Sequence, residues 1–173
     1  MFLLRISGGV KPGWRAWLES GRKSGVWGRG ARREARAIRR VFDTVNPALE
    51  LATHEGFQDE TFLLATESVP RGLGAAVVEA LKRAGIKLAA RSPFSPLVPL
   101  DAPGLMEEGW AITVFQRLIR LHTLAMYAND RGVGDLTTES PWQSPDLDAR
   151  ILAHVLAVRA AAEALAELPR SPR

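Results

Sequence analysis

The chain has no cysteine, a single tyrosine and three histidines among its 173 residues. Without thiols, neither a disulfide framework nor a thiolate metal site can form, and a reducing, cytoplasmic setting is expected. Long apolar runs are also missing. The opening MFLLRISGG holds only a short apolar run broken by Arg5, and no stretch reaches the roughly 18 uninterrupted apolar residues of a membrane span. Neither a leader peptide nor a membrane segment is therefore expected. Serine catalysis has no support either: there is no G-x-S-x-G elbow, and the serines cluster beside proline or glycine, where turn chemistry accounts for them.

What the chain does have is an uneven charge. Its formal net charge is +4, but residues 1–40 carry eleven Lys and Arg against two Glu, and the remainder carries twelve basic against seventeen acidic side chains. The balance is therefore +9 in the first part and −5 in the second. Local potential steers association more than the total does, so the first forty residues form the candidate surface for an anionic partner.

Hydrophobic periodicity places the elements. Met1–Ser7 reads as a strand closed by Gly8-Gly9. Ala31, Ala35, Ile38, Phe42 and Val45 recur at helical spacing, and Arg29, Arg33, Arg36 and Arg40 repeat the same steps on another face,. ALELAT at 48–53 and ETFLLAT at 60–66 read as a hairpin of strands around a polar loop, RGLGAAVVEALKRAG as a helix stopped by Gly85, and Ile86–Ala90 as a further strand,. The order strand, helix, strand, strand, helix, strand is that of a ferredoxin-like βαββαβ sandwich, and an α+β domain over residues 1–91 is expected. Residues 92–173 read as a proline-rich connector followed by a two-helix hairpin packed with the first part as one unit. The stretch from Leu105 to Asn129 is its apolar core helix, with Asp101 as cap; GVGDLTTESPWQSPDLD is a turn-rich connector; and a last helix runs from about Pro145 to Leu168,.

Two groups of residues invite chemical readings. The segment TESVPRGLGAAVVEALKRAGIKLAAR, with Gly72-x-Gly74 at a helix start, resembles the phosphate-binding unit of a short-chain dehydrogenase,. That resemblance would make Gly72 and Gly74 a nucleotide-binding turn. Ser68 stands where the family has its first glycine, and Tyr127 is followed four residues on by Arg131 and not by the lysine of the family's catalytic pair. The alternative is that the two glycines serve a tight turn and close packing. Of the histidines, His54 falls with Glu55, Asp59 and Glu60 in the expected hairpin loop, which suits either a divalent ion or an ordinary exposed turn. His122 and His154 fall on the two C-terminal helices, where either a proton-transfer pair or core hydrogen bonding would suit them.

The basic region carries the functional expectation. Arg22, Lys23, Arg29, Arg32, Arg33, Arg36, Arg39 and Arg40 supply guanidinium and ammonium groups for phosphate, and Trp14, Trp17 and Trp27 interleave flat surfaces for stacking an unpaired base,. The expected protein is thus a non-enzymatic binder of nucleic acid, RNA or single strands, without catalytic residues, cofactor or metal. The alternative is an inhibitor, immunity or assembly subunit meeting an acidic protein, and the third reading is a nucleotide-cofactor enzyme using the Gly72/Gly74 turn.

Overall fold

The computed structural model describes residues 33–56, 58–92, 99–107 and 123–168. In chain order the elements are α1 (Arg33–Val45), β1 (Leu49–Gly56), β2 (Phe62–Ala65), α2 (Leu73–Arg83), β3 (Leu105–Glu107), α3 (Leu124–Asn129), β4 (Gly134–Pro141) and α4 (Leu147–Glu167). The expected Met1–Ser7 strand lies outside the described residues.

The protein is of mixed α and β type, as expected, but its sheet is not the antiparallel sheet of a ferredoxin-like sandwich. The strands lie in the order β1-β4-β2-β3, with β1 parallel to β4, β4 antiparallel to β2 and β2 parallel to β3. β1 and β2, expected to pair as a hairpin, are separated by β4, which the sequence presents as a polar connector. Buried residues explain how a polar segment takes a central position. Leu136 is buried toward the apolar core and Thr138 is buried as well, while Asp135, Thr137 and Ser140 are buried with hydrogen-bond partners. Ile86–Ala90 contributes only a bridge, Thr61 to Leu88.

One face of the sheet is covered by α2 and α4. Leu73, Val77 and Leu81 of α2 meet Leu63, Ala65 and Leu136 of the strands and the small residues Ala153, Ala157 and Ala161 of α4. Alanines let the two helices approach closely. Asp146 caps α4 by accepting from Ala149 N–H at 2.9 Å, and both the expected last helix and the expected helix over residues 31–45 are present with nearly their expected bounds,. The long helix expected from Leu105 to Asn129 is not continuous: Leu105–Glu107 is strand β3, and α3 starts afresh at Thr123, whose Oγ1 accepts from Met126 N–H at 3.1 Å. Residues 108–122, including Leu118 and His122, lie outside the described residues. Asp101 does not cap a helix; its carboxylate accepts from Glu107 N–H at 2.7 Å and closes the turn before β3.

α1 is held from its Phe42 and Asp43. Phe42 meets buried Tyr127 edge-on at 5.7 Å between ring centroids, and the Tyr127 hydroxyl donates to the Asp43 carboxylate at 2.6 Å,. Arg131 completes the cluster, donating to Asp43 at 3.0 Å and lying 3.5 Å over the Tyr127 ring,. The tyrosine hydroxyl bonds first among the influences that hold the Asp43 carboxyl below its usual range. Tyr127 is thus a structural tie, in contrast to the catalytic tyrosine that the dehydrogenase resemblance would imply.

The glycines of the presumed nucleotide turn are accounted for by backbone and packing. Gly72 has φ 84° just before α2, in the left-handed region that suits glycine,. A Cβ at Gly74 would lie 2.9 Å from Leu105 Cδ1, so its bareness lets α2 approach β3. Gly134 is more constrained, since a Cβ there would come within 2.7–2.8 Å of backbone atoms of Ser68 and Val69. We therefore expect Gly134→Ala to cost about 2–3 kcal/mol in reversible urea unfolding, because backbone must move. Gly74→Ala should stay within about 1 kcal/mol of the native protein, since a leucine methyl can shift and alanine favours the helix. Equal losses would mean that the β4 start is not packed as described.

Candidate functional site

Paired positions on neighbouring strands point to one face of a sheet, and alternate residues return to it. The parallel register of β1 and β4 pairs Glu50 with Asp135, Ala52 with Thr137 and His54 with Glu139. These side chains share the face opposite α2 and α4, and the register between β2 and β4 adds Phe62 beside Glu139 and Leu64 beside Thr137. A polar row bordered by an apolar pair thus runs toward the carboxyl ends of the two parallel strands, the end at which open α/β sheets bind ligands.

The row changes character along its length. Asp135, 2% exposed, accepts from the Thr137 hydroxyl at 2.8 Å through Oδ1. Its Oδ2 and the Oε2 of Glu50 are buried without a donor. Burial first, then the neighbouring Glu50 carboxyl as hydrogen-bond partner and like charge, pushes Asp135 up to about 9,. The pair therefore holds a proton at neutral pH. At the far end Glu139 is mostly buried, and burial alone raises its carboxyl to about 7. His54, beside it, is an exposed residue whose ring is nonetheless held below its ordinary value, chiefly by partial burial.

The other face braces this end. Ser140 Oγ lies 2.9 Å from His154 Nε2, and burial lowers the His154 ring as well. Arg150 pairs with Glu55 at 3.2 Å and donates to the Trp142 carbonyl at 2.9 Å, while Trp142 N–H reaches the Gly56 carbonyl at 2.9 Å. α4 thereby clamps the ends of β1 and β4 together. Ser140 is fully buried and is no exposed nucleophile. The expected pairing of His154 with His122 involves a residue that lies outside the described residues.

The arrangement offers one carboxyl near neutrality for acid–base work beside one imidazole, which has the composition of a hydrolytic site. A metal is a separate matter. Among the described residues no group of three or more His, Cys, Asp or Glu side chains converges to hold one. His54 was legible as a candidate but was expected in a hairpin loop with Asp59 and Glu60; instead it closes a strand, and Glu60 pairs with Lys87 at 3.0 Å. Glu50, Asp135, Ser140 and Glu139 were missed. The alternation of Glu50, Ala52 and His54, matched by Asp135, Thr137 and Glu139, is the signal that marks them.

Of the residues in the expected basic surface, Trp14, Trp17, Arg22, Lys23, Trp27, Arg29 and Arg32 lie outside the described residues. Arg33, Arg36 and Arg40 are exposed on α1, and Arg39 stacks 4.7 Å over the Tyr127 ring. The structure brings none of these arginines to the polar row.

Comparison with solved structures finds similar folds, among them three proteins each described as a "putative metallopeptidase". The Shewanella amazonensis SB2B protein matches with TM-score 0.58 and 19% identity, over 80% of this chain and 49% of its own. The Shewanella denitrificans OS217 protein matches with TM-score 0.60 and 18% identity, over 80% and 50%, and the Shewanella baltica OS155 protein with 0.57 and 17%, over 79% and 48%. At these identities the likeness is one of fold, and the chain spans about half the length of each neighbour. No known protein family and no curated protein matches the sequence. These neighbours overturn the expected non-enzymatic binding protein: neither nucleic acid nor an acidic protein partner is supported, and the nucleotide-enzyme reading goes with the packing roles of Gly72 and Gly74. Among the described residues no helix is long and apolar enough to cross a membrane.

The buried carboxyl pair has a measurable consequence. Asp135 has a folded pKa above its ordinary 3.8, so the folded state keeps a proton that the unfolded chain loses, and stability should fall as pH rises from about 4 toward about 9. Asp135→Asn supplies a permanent donor toward Glu50 and removes this proton uptake. Chemical denaturation should find the variant more stable than native by about 1–3 kcal/mol at pH 8, with the difference shrinking toward pH 4. A native stability that is flat across this range would mean that the pair does not share a proton.

Proposed function

We propose that the chain carries part of a peptide-hydrolysing site, with Glu139 as the general acid–base group and His54 as the polar neighbour that orients the substrate or its water. The observation that supports it is the pairing of His54 with Glu139 at the open carboxyl ends of parallel strands, with Glu139 held near neutrality. The fold shared with proteins described as metallopeptidases favours an amide substrate over other acyl compounds.

Glu139 accepts a proton from water as that water attacks a peptide carbonyl, and returns it to the leaving amine. A carboxyl near pH 7 can do both, since neither form is strongly favoured. His54, uncharged at neutral pH, directs one ring nitrogen at the reacting water or carbonyl without competing for the proton. The described residues do not by themselves make up a metal-binding set, and the roles given to Glu139 and His54 do not route any step through a metal. Residues 1–91 and 92–173 act in this reading as a single unit, because β1 and β2 from the first and β3 and β4 from the second interleave in one sheet.

The test is hydrolysis of a mixed peptide substrate by the purified protein. Rate should rise as pH passes through about 7, where Glu139 becomes the base. Glu139→Gln should lower it by about 10²-fold or more with thermal stability retained. Full activity in Glu139→Gln, or none in the native protein under any metal supplement, would remove the hydrolytic reading.

A further inference from the structure

α4 carries apolar residues on more than one side, and an apolar helix face is ordinarily buried,. Ala153, Ala157 and Ala161 are buried against the core, yet Leu147, Ile151, Val155 and Val158 are 52%, 51%, 57% and 42% exposed. These four recur at steps of four, four and three and form one stripe. Its direction follows from residues that flank His154. His154 reaches down to Ser140 of β4. Ala153 and Val155 leave the helix about 100° to either side of it. Ala153 turns toward α2, which packs over β2 and β3. Val155 therefore turns the opposite way, out past β1.

β1 is itself an edge strand, bonded only to β4 among the described residues. Its free side is eight residues long and, among the described residues, carries no ladder partner beside the apolar stripe, an arrangement that isolated proteins ordinarily blunt,. Strand edge and helix stripe together form one step, shaped for a further strand and a further helix continuing the same two layers. The Shewanella folds hold about as much chain again beyond the matched part.

We infer that the free edge of β1 and the Leu147–Val158 stripe of α4 are the seat of the remaining half of that fold: a polypeptide that adds a strand to β1 and lays an apolar helix face on α4. The inference rests on the fold likeness and the exposed surface and stands apart from the hydrolytic reading.

The probe is the part of the Shewanella denitrificans protein that this chain does not match, made as a separate polypeptide and titrated into the full 173-residue chain. Hydrogen exchange is read on Leu49–Gly56 of this chain, so the readout does not require the probe to be folded beforehand. Protection of alternate β1 amides by tenfold or more at saturation is the expected result. Val155→Glu and Ile151→Glu, both already exposed and so compatible with folding, should weaken binding by tenfold or more, while Glu79→Lys on the exposed side of α2, on the other side of α4 from β1, should not. Glu139→Gln should bind like the native chain, which separates this result from any loss of hydrolysis. Absence of protection overturns the inference, as does binding that Val155→Glu leaves intact. Sedimentation showing that the chain alone dimerises through β1, with no change on adding the probe, also overturns it and makes a second copy the occupant.

Discussion

The structure depends on burying β4 between two strands that the sequence would otherwise join. Gly134–Pro141 is almost wholly buried although most of its side chains are polar, so those groups call for partners,. Thr66 Oγ1 accepts from Asp135 N–H at 2.8 Å, Thr137 donates to Asp135, and Ser140 bonds His154. These bonds fix the register, and the register aligns Glu50 with Asp135 and His54 with Glu139. A slip of one residue would turn Leu136 away from the core and carry the carboxyls into it. The same constraint explains Gly134, where the strand passes against the backbone of Ser68 and Val69.

Helices were the legible part of the chain. The spacing of Ile38 and Phe42, the run from Leu73 to Leu81 and the capped start at Asp146 carry local information sufficient to place α1, α2 and α4. The sheet was not legible to the same degree, because its order depends on a strand whose sequence, GDLTTESP, reads as loop by composition. Burial of polar residues is a tertiary event, and no local propensity reports it. The long apolar stretch from Leu105 to Asn129 misled for the converse reason: apolar residues satisfy a buried three-residue strand as well as a helix, and Thr123 offers a cap that starts a new helix within it,. The site followed the sheet. His54 could be singled out as a residue, but Glu139 acquires its meaning only when β4 lies alongside β1.

One sheet face holds carboxyls in two different states, and position alone separates them. Asp135 sits deep, where solvent is excluded and Glu50 opposes a second charge, so it is held as an acid. Glu139, four residues on, lies near the strand end, where burial is sufficient to raise it only to about 7. Environments that push like groups apart in this way are what acid–base sites require, and here the depth of the sheet supplies the gradient. The deep pair, with a proton held on Asp135, carries one charge fewer than two ionised carboxylates would, and that second charge at such depth would favour the acid form of Glu139,.

Exposure follows the same gradient and gives the open end its significance. His54 and Glu55 end an edge strand, α4 braces them from one side through Arg150 and His154, and the opposite edge of β1 is free among the described residues. A hydrolytic site needs water excluded and reacting groups fixed on more than one side. Here one side is rigid and the other is a strand edge flanked by an apolar helix stripe, so the residues with chemical character and the surface with unmet contacts occupy the same end of the molecule. A strand added along the free edge of β1 would change the solvation of His54, and through the shared strand ends the environment of Glu139. If both proposals hold, assembly and acid–base chemistry would be coupled at this edge by geometry, since β1 would belong to both.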